Sequence, residues 1–326
     1  LFIIITIIIL VVNPQIVNGI SFLTKFNRVT FNNKSIILSL SIQFVMLAKL
    51  FIYFIIVEKL YIKYSKSAKL RYLLFTYLFV ILNIGIFIGI NRKLILMNAI
   101  SSLYIINKLY PKHKKMTSVI IFSVGIFIFL QLTIFRFYGS RNSFGNIAGT
   151  LQVYLSGPYN MALAIETSEL YKNDISLFNI VYDLGRPFYG LGQFFKKFDA
   201  YTSTDYFNAR LSIGGYPRSD QIMPISGQGL LHFGYLFSPL YLVLSIILGL
   251  YTEKKLRGTS SIEKKYILCL ICIMFGQAMG VNFVIITNVV THQGLLFYII
   301  YIVNAKISTR KYSNSNFVID EKYYIY

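Results

Sequence analysis

Long apolar runs separated by short basic segments set the pattern of this chain. A helix crossing the hydrocarbon of a bilayer needs about 20 mostly apolar residues. Residues 1–12 form the tail of one such run, and residues 35–57 form a second, interrupted by Lys49. That lysine must either snorkel or face the protein interior. Residues 72–90 make a third run, and residues 94–107 are apolar but short. Residues 117–137 form a clear span, and residues 229–250 another. Residues 266–303 are long enough for two short spans, turning near residues 280–282 or near residues 288–293. The pattern predicts an all-α polytopic membrane protein of about eight transmembrane helices. The sequence opens at Leu1 inside an apolar run, with no Met and no basic stretch before it. The expectation is that an N-terminal part of the protein precedes Leu1.

One long polar stretch, residues 138–228, interrupts the series. It holds seven of the twelve acidic residues, matched by Arg141, Lys172, Arg186, Lys196, Lys197, Arg210 and Arg218. The expected organisation is therefore N-terminal transmembrane helices over 1–137, a large external loop over 138–228, C-terminal transmembrane helices over 229–303 and a cytoplasmic tail over 304–326. Composition agrees with a membrane class: 56% of residues are hydrophobic and 13% charged, whereas soluble domains are nearer a quarter charged.

Net charge is +20, which in a soluble protein would point to nucleic acid. Here the basic residues instead cluster between apolar runs. Segments 58–71, 108–116, 251–265 and the tail from Asn304 fall on one side of the membrane and hold 18 of the 32 Lys and Arg. By the positive-inside rule that side is cytoplasmic, so the long polar stretch faces the exterior or periplasm of a bacterium, and the protein resides in the inner (plasma) membrane. No nucleic-acid partner is expected.

Soluble-enzyme signatures are absent: no G-x-S-x-G elbow, no Walker loop, no H-E-x-x-H. Cys269 and Cys272 lie in an apolar run without a second ligand pair, so they read as small buried residues rather than a zinc site. His113, His232 and His292 are far apart in sequence, and neither a metal nor a cofactor is expected. Within the polar stretch, residues 147–165 read as two half-helices broken at Ser156-Gly157-Pro158, and residues 175–195 as an apolar stretch broken by Asp183, Gly185 and Arg186-Pro187. Residues 206–229 read as irregular backbone because of their glycines and prolines. An aromatic-rich loop above a membrane suits a ligand that is part sugar and part lipid. Tyr and Phe rings cover sugar faces, and Arg forks hold phosphates.

Two patches carry a resemblance. Tyr138-Gly139-Ser140-Arg141 followed by Val153-Tyr154-Leu155-Ser156-Gly157-Pro158, and the exit Gly227-Gln228-Gly229-Leu230-Leu231-His232-Phe233-Gly234-Tyr235, resemble bacterial oligosaccharide repeat-unit polymerases of the Wzy type. Some members carry an Arg followed by Gly sixteen positions on. Arg141 with Gly157, and Arg218 with Gly234, have that spacing. The resemblance implies a membrane glycosyltransferase that moves a growing glycan from undecaprenyl diphosphate onto the next lipid-linked repeat unit, building O-antigen or capsular polysaccharide. It implies as partners the undecaprenyl-diphosphate-linked glycan, the lipid bilayer, and a chain-length regulator and flippase of the same pathway.

That reaction requires cations on the leaving diphosphate and a base for the acceptor hydroxyl. Arg141 and Arg218 are the expected clamp, with Arg210 and Arg186 behind them. Asp220 or His232 is the expected base. The bland readings are surface ion pairs for the arginines and a hydrogen-bonded structural role for His232. Rival functions are an O-antigen ligase, with similar architecture, and a lipid-linked-oligosaccharide flippase or transporter. The near absence of ionisable residues within the spans disfavours transport.

The charge pattern makes a topological prediction. Alkaline-phosphatase fusions after Lys172 or Ala200 are expected to be active, and those after Lys114 or Arg257 inactive. The reverse pattern would place the polar stretch on the cytoplasmic side.

Overall fold

The computed structural model describes residues 2–27, 36–88, 92–138, 157–188, 191, 194, 201–212 and 221–313. In chain order the elements are α1 (Phe2–Val12), α2 (Pro14–Asn18), β1 (Ile20–Phe22), α3 (Ile36–Ser67), α4 (Leu70–Gly85), β2 (Ile86–Ile88), α5 (Arg92–Leu109) and α6 (Lys114–Tyr138). Then follow α7 (Gly157–Tyr171), α8 (Leu177–Gly185), α9 (Ser203–Ser212), α10 (Ile225–Phe237), α11 (Leu240–Gly258), α12 (Ile262–Gly276), α13 (Phe283–Val289) and α14 (Leu296–Ser313). Two compact units result. The first comprises Leu1–Phe135, Lys255–Leu270 and Gln293–Tyr326, the second Arg136–Lys254 and Ile271–His292.

In the first unit α3 is the long central helix. Phe2 of α1 packs on Phe44 and Phe51, each 5.6 Å away between ring centroids, and Phe51 stacks on Phe297 of α14 at 5.2 Å. A buried polar seam runs through this apolar packing. Asn83 of α4 donates to Tyr266 Oη of α12 at 3.0 Å, and that hydroxyl donates to Asn98 Oδ1 of α5 at 3.1 Å. Lys49 resolves its two options by facing inward. Its Nζ donates to the carbonyls of Asn83 and Ile86 at 2.7 and 2.8 Å. The reason lies in α4, which stops at Gly85 and leaves carbonyls that no further turn can satisfy. The chain then runs extended and pairs antiparallel with β1, Ile20 opposite Ile88 and Phe22 opposite Ile86. A cation at the negative end of a helix is also favoured electrostatically.

The chain is a predominantly helical membrane protein. Among the described residues three stretches are long and apolar enough to cross a bilayer: Ile37–Ser67, Pro111–Phe135 and Phe283–Lys306. A fourth is added if α10 and α11, bent by 109°, count as one span. The expected count of about eight is not reached among these residues, for identifiable reasons. α1 and α4 have 11 and 16 residues, and α5 is diluted by buried Asn98, Ser101 and Ser102. In 266–303 the break falls at the earlier of the two expected places: α12 ends at Gly276 and α13 starts at Phe283, capped by the Asn282 side chain on Ile285 N at 2.9 Å. Around residue 290 the chain stays helical through a π-turn.

In the second unit the half-helix expected after Ser156-Gly157-Pro158 is present, and two other local expectations are corrected. Helix α7 begins at Gly157 with Pro158 in its first turn, where a missing N–H costs nothing; residues 147–156 lie outside the described set. Asp183 does not break the 175–195 stretch but sits inside α8. Residues 206–212, read as irregular, belong to α9, whose start is fixed by a reciprocal cap. Thr202 N and Oγ1 bond Asp205 Oδ2 at 2.9 and 2.6 Å, and Asp205 N bonds Thr202 Oγ1 at 3.1 Å. Gly227 lies inside α10, and its lack of a side chain lets α7 approach: a Cβ there would meet the Ala164 Cβ at 2.4 Å. Gly234, with φ +72°, ends the first straight part of α10 in a conformation that side-chain-bearing residues rarely adopt.

Removing the Lys49 ammonium orphans two buried carbonyls, each worth about 1–3 kcal/mol. Lys49→Ala is therefore expected to destabilise the detergent-solubilised protein by about 2–4 kcal/mol in denaturant unfolding. An unchanged midpoint would contradict its role in ending α4.

Candidate functional site

Among the described residues of the second unit, a buried polar cluster is built around the Asp183 carboxylate. Helix α8 is amphipathic, with Ser176 and Asn179 forming its capping box. The face it buries carries Tyr182 and Asp183, the latter only 1% exposed. Oδ2 of Asp183 accepts from Ser203 Oγ at 2.5 Å, from Ser203 N at 3.3 Å and from Gln228 Nε2 at 2.9 Å. His232 Nε2 stands 3.5 Å from the same oxygen. The Ser203 amide is the first of α9, one of the donors that a helix start leaves unpaired.

Gln228 extends the network to a second helix start. Its Oε1 accepts from Phe283 N, the first amide of α13, at 2.8 Å. A backbone N–H can only donate, so the amide oxygen must face Phe283 and Nε2 must face Asp183. Asn282, next to that amide, donates to Thr204 Oγ1 of α9 at 3.0 Å. Two short helices thus begin against the Asp183–Gln228 pair.

His232 is held on both sides. Its Nδ1 is 2.8 Å from Tyr241 Oη of α11, and its side chain is only 2% exposed. The Tyr241 ring stacks on Phe283 at 4.9 Å and 16°. Because the Asp183 oxygen can only accept when ionised, the arrangement fixes the tautomer: Nε2 carries the proton toward Asp183, and Nδ1 accepts from the tyrosine hydroxyl. An imidazole with a carboxylate behind it and a hydroxyl in front has the parts of a general base and its orienting group.

The other expected site residues divide into two groups. Asp220, Arg141 and Arg218 lie outside the described residues. Arg210 of α9 forms a solvent-reached ion pair with Glu166 of α7, which is the surface-pair alternative. Arg186 closes α8: its N–H bonds Tyr182 O at 2.9 Å, and its side chain is exposed. Beside the Arg210–Glu166 pair on the same helices lies an aromatic group. Tyr206 has centroids 5.1 Å from Tyr171 and 5.8 Å from Tyr201, and partial burial followed by Asp174 raises its phenol pKa. Among the described residues no three His, Cys, Asp or Glu gather at a spacing that could hold a metal ion.

Of the expected site residues this cluster contains His232; Asp183, Gln228, Ser203 and Tyr241 were not among them. Asp183 had a usable signal, as the single charge in LFNIVYDLG. Gln228 and Tyr241 had none, because their role depends on which helix starts they meet. No protein-family model, no curated protein and no solved structure matches the chain.

Gln228 tests the network directly. Gln228→Leu removes a donor from Asp183 and the acceptor of Phe283 N, and is expected to cost about 2–4 kcal/mol in unfolding. Gln228→Glu keeps the shape but sets a second carboxylate against Asp183. It is expected to be destabilised at neutral pH and to recover as pH falls and one carboxyl takes a proton. Stability that is independent of pH in Gln228→Glu would contradict this geometry.

Proposed function

We propose that this chain is a membrane glycosyltransferase that polymerises undecaprenyl-diphosphate-linked oligosaccharide repeat units on the outer face of the bacterial plasma membrane. In this reading about eight helices cross the bilayer, and residues 138–228 form the external loop. The observation that carries it is the Asp183–His232–Tyr241 chain, built from that loop and the helices that follow it. The Tyr171–Tyr201–Tyr206 rings add a surface suited to sugar faces. The similarity of residues 138–158 and 227–235 to repeat-unit polymerases supplies the substrate class.

In this reading the step uses the Tyr241–His232–Asp183 chain. The acceptor hydroxyl attacks the anomeric carbon of the donor, and the sugar–diphosphate bond breaks with its electron pair on the phosphate oxygen. The acceptor proton passes to Tyr241 Oη as that hydroxyl gives its own proton to His232 Nδ1 (2.8 Å). Asp183 stabilises the imidazolium through Nε2. Arginines of the loop, with Arg141 and Arg218 foremost, clamp the diphosphate as charge develops. Because His232 and Tyr241 are closed off from solvent, this route requires the cover over Tyr241 to move when substrate binds.

Tyr241→Phe keeps the ring on Phe283 and removes only the relay hydroxyl. It is expected to lower polymer formation by about 100-fold or more, within the range of general acid–base contributions, at normal protein level. His232→Ala and Asp183→Asn are expected to give the same product pattern: single repeat units still transferable to the final acceptor. Long polymer stranded on carrier lipid would indicate a ligase instead, and single units trapped inside would indicate a flippase. Wild-type chain-length ladders from Tyr241→Phe and His232→Ala would reduce the network to a scaffold.

A further inference from the structure

The joint between α10 and α11 exposes three large side chains in a row. Tyr235, Leu236 and Phe237 are 69%, 82% and 58% exposed, and they immediately precede the 109° bend. The length of α11 says how deep this bend lies. Its uncharged part, from Leu240 to Thr252, is followed by Glu253, Lys254, Lys255 and Arg257. Thirteen residues of helix rise about 20 Å, whereas the hydrocarbon is about 30 Å thick. The charged turn marks one interface, so the other end of α11 falls about 10 Å short of the opposite one. Snorkelling by Lys254 and Lys255 narrows that gap by several Å without closing it.

Helix α10 does not make up the difference. With α11 near the membrane normal, an axis at 109° to it runs within about 20° of the membrane plane. Several polar groups of the bend are satisfied within the chain. Ser238 Oγ and Ser238 N both bond Tyr235 O, at 3.1 and 3.4 Å. Pro239 has no N–H to satisfy, and its carbonyl accepts from Val243 N at 2.9 Å. Backbone at membrane depth is tolerated only when its polar groups are satisfied in this way. The exposed side of α11 continues the apolar surface through Val243, Ile246, Ile247 and Leu250.

We propose that residues 234–239 are seated among the lipid acyl chains of the leaflet opposite the charged end of α11, with α10 lying along the membrane rather than across it. The occupant of the exposed apolar tip is bilayer lipid, because that surface is continuous with a helix whose composition already requires lipid. This placement does not depend on glycan chemistry, and neither proposal falls with the other. It sets His232, two residues before the bend's glycine, at nearly the depth of the bend itself, below the headgroups.

The sequence contains no tryptophan, so one introduced indole reports alone. Leu236→Trp in the full chain, reconstituted into phosphatidylcholine–phosphatidylglycerol vesicles, is expected to be quenched at least twofold more by lipids brominated along the acyl chain than by aqueous iodide. Lys254→Trp is expected to show the interfacial pattern, with strong quenching only by bromines nearest the headgroup. Phe237→Trp repeats the measurement if Leu236→Trp inserts poorly. Quenching of both tip indoles by iodide but not by bromolipid would put the bend in water. Quenching by neither would mean that protein, such as a second copy of this chain, covers the tip. Either result overturns the proposal.

Discussion

The second unit depends on a buried carboxylate that must be satisfied. Taking a charge out of water costs several kcal/mol unless donors meet it. Around Asp183 those donors are Ser203, through hydroxyl and amide, and Gln228. Gln228 can serve only because its other end takes the first amide of α13. Short helices such as α9 and α13 are marginal alone. Here each begins against a side chain that needs its unpaired N–H groups, so satisfying the acid and starting the helices are one event. His232 completes the arrangement, and its placement beside Asp183 follows from the same constraint that folds the unit.

The fold was legible where one physical rule dominates. Length and apolarity located the cores of two long helices, expected over 35–57 and 117–137 and found over 37–67 and 111–135, the extra turns being the charged and polar flanks that hydropathy leaves out. A lone lysine in such a run had to find partners, as Lys49 does at the end of α4. The span count was less legible because hydropathy does not report helix breaks. Residues 72–90 read as one apolar run, but α4 ends at Gly85, where pairing of Ile86–Ile88 with β1 takes over. Glycines misled in the opposite direction. Gly227 and Gly229 read as loop residues, whereas α10 carries them in its interior, Gly227 pressed against α7.

The site was half legible. His232 stood out as a rare titratable residue at the head of an apolar run. Its partner did not, because an acid inside an apolar stretch reads equally as a break or as a buried hub, and only the three-dimensional meeting of α8, α9 and α10 decides between them. Arg210 shows the converse. It is attractive as a phosphate ligand by residue type, yet it spends its charge on Glu166 at the surface, where pairs contribute little. The helix that carries Gln228 and His232 breaks at Gly234, so the network contacts at 228 and 232 and the proposed lipid contact at 235–237 meet across a single glycine.

The most direct test of this account is the protonation pattern of the His232 ring. With only three histidines in the sequence, ¹⁵N-histidine labelling of the full chain in lipid nanodiscs, assigned with His113→Gln and His292→Gln variants, resolves each imidazole. The account expects His232 to be the Nε2–H tautomer, with Nδ1 in the shift range of a hydrogen-bonded acceptor, and expects Asp183→Asn to move the Nε2 resonance while Tyr241→Phe moves Nδ1. A His232 protonated at Nδ1, or one whose resonances ignore both substitutions, would contradict it.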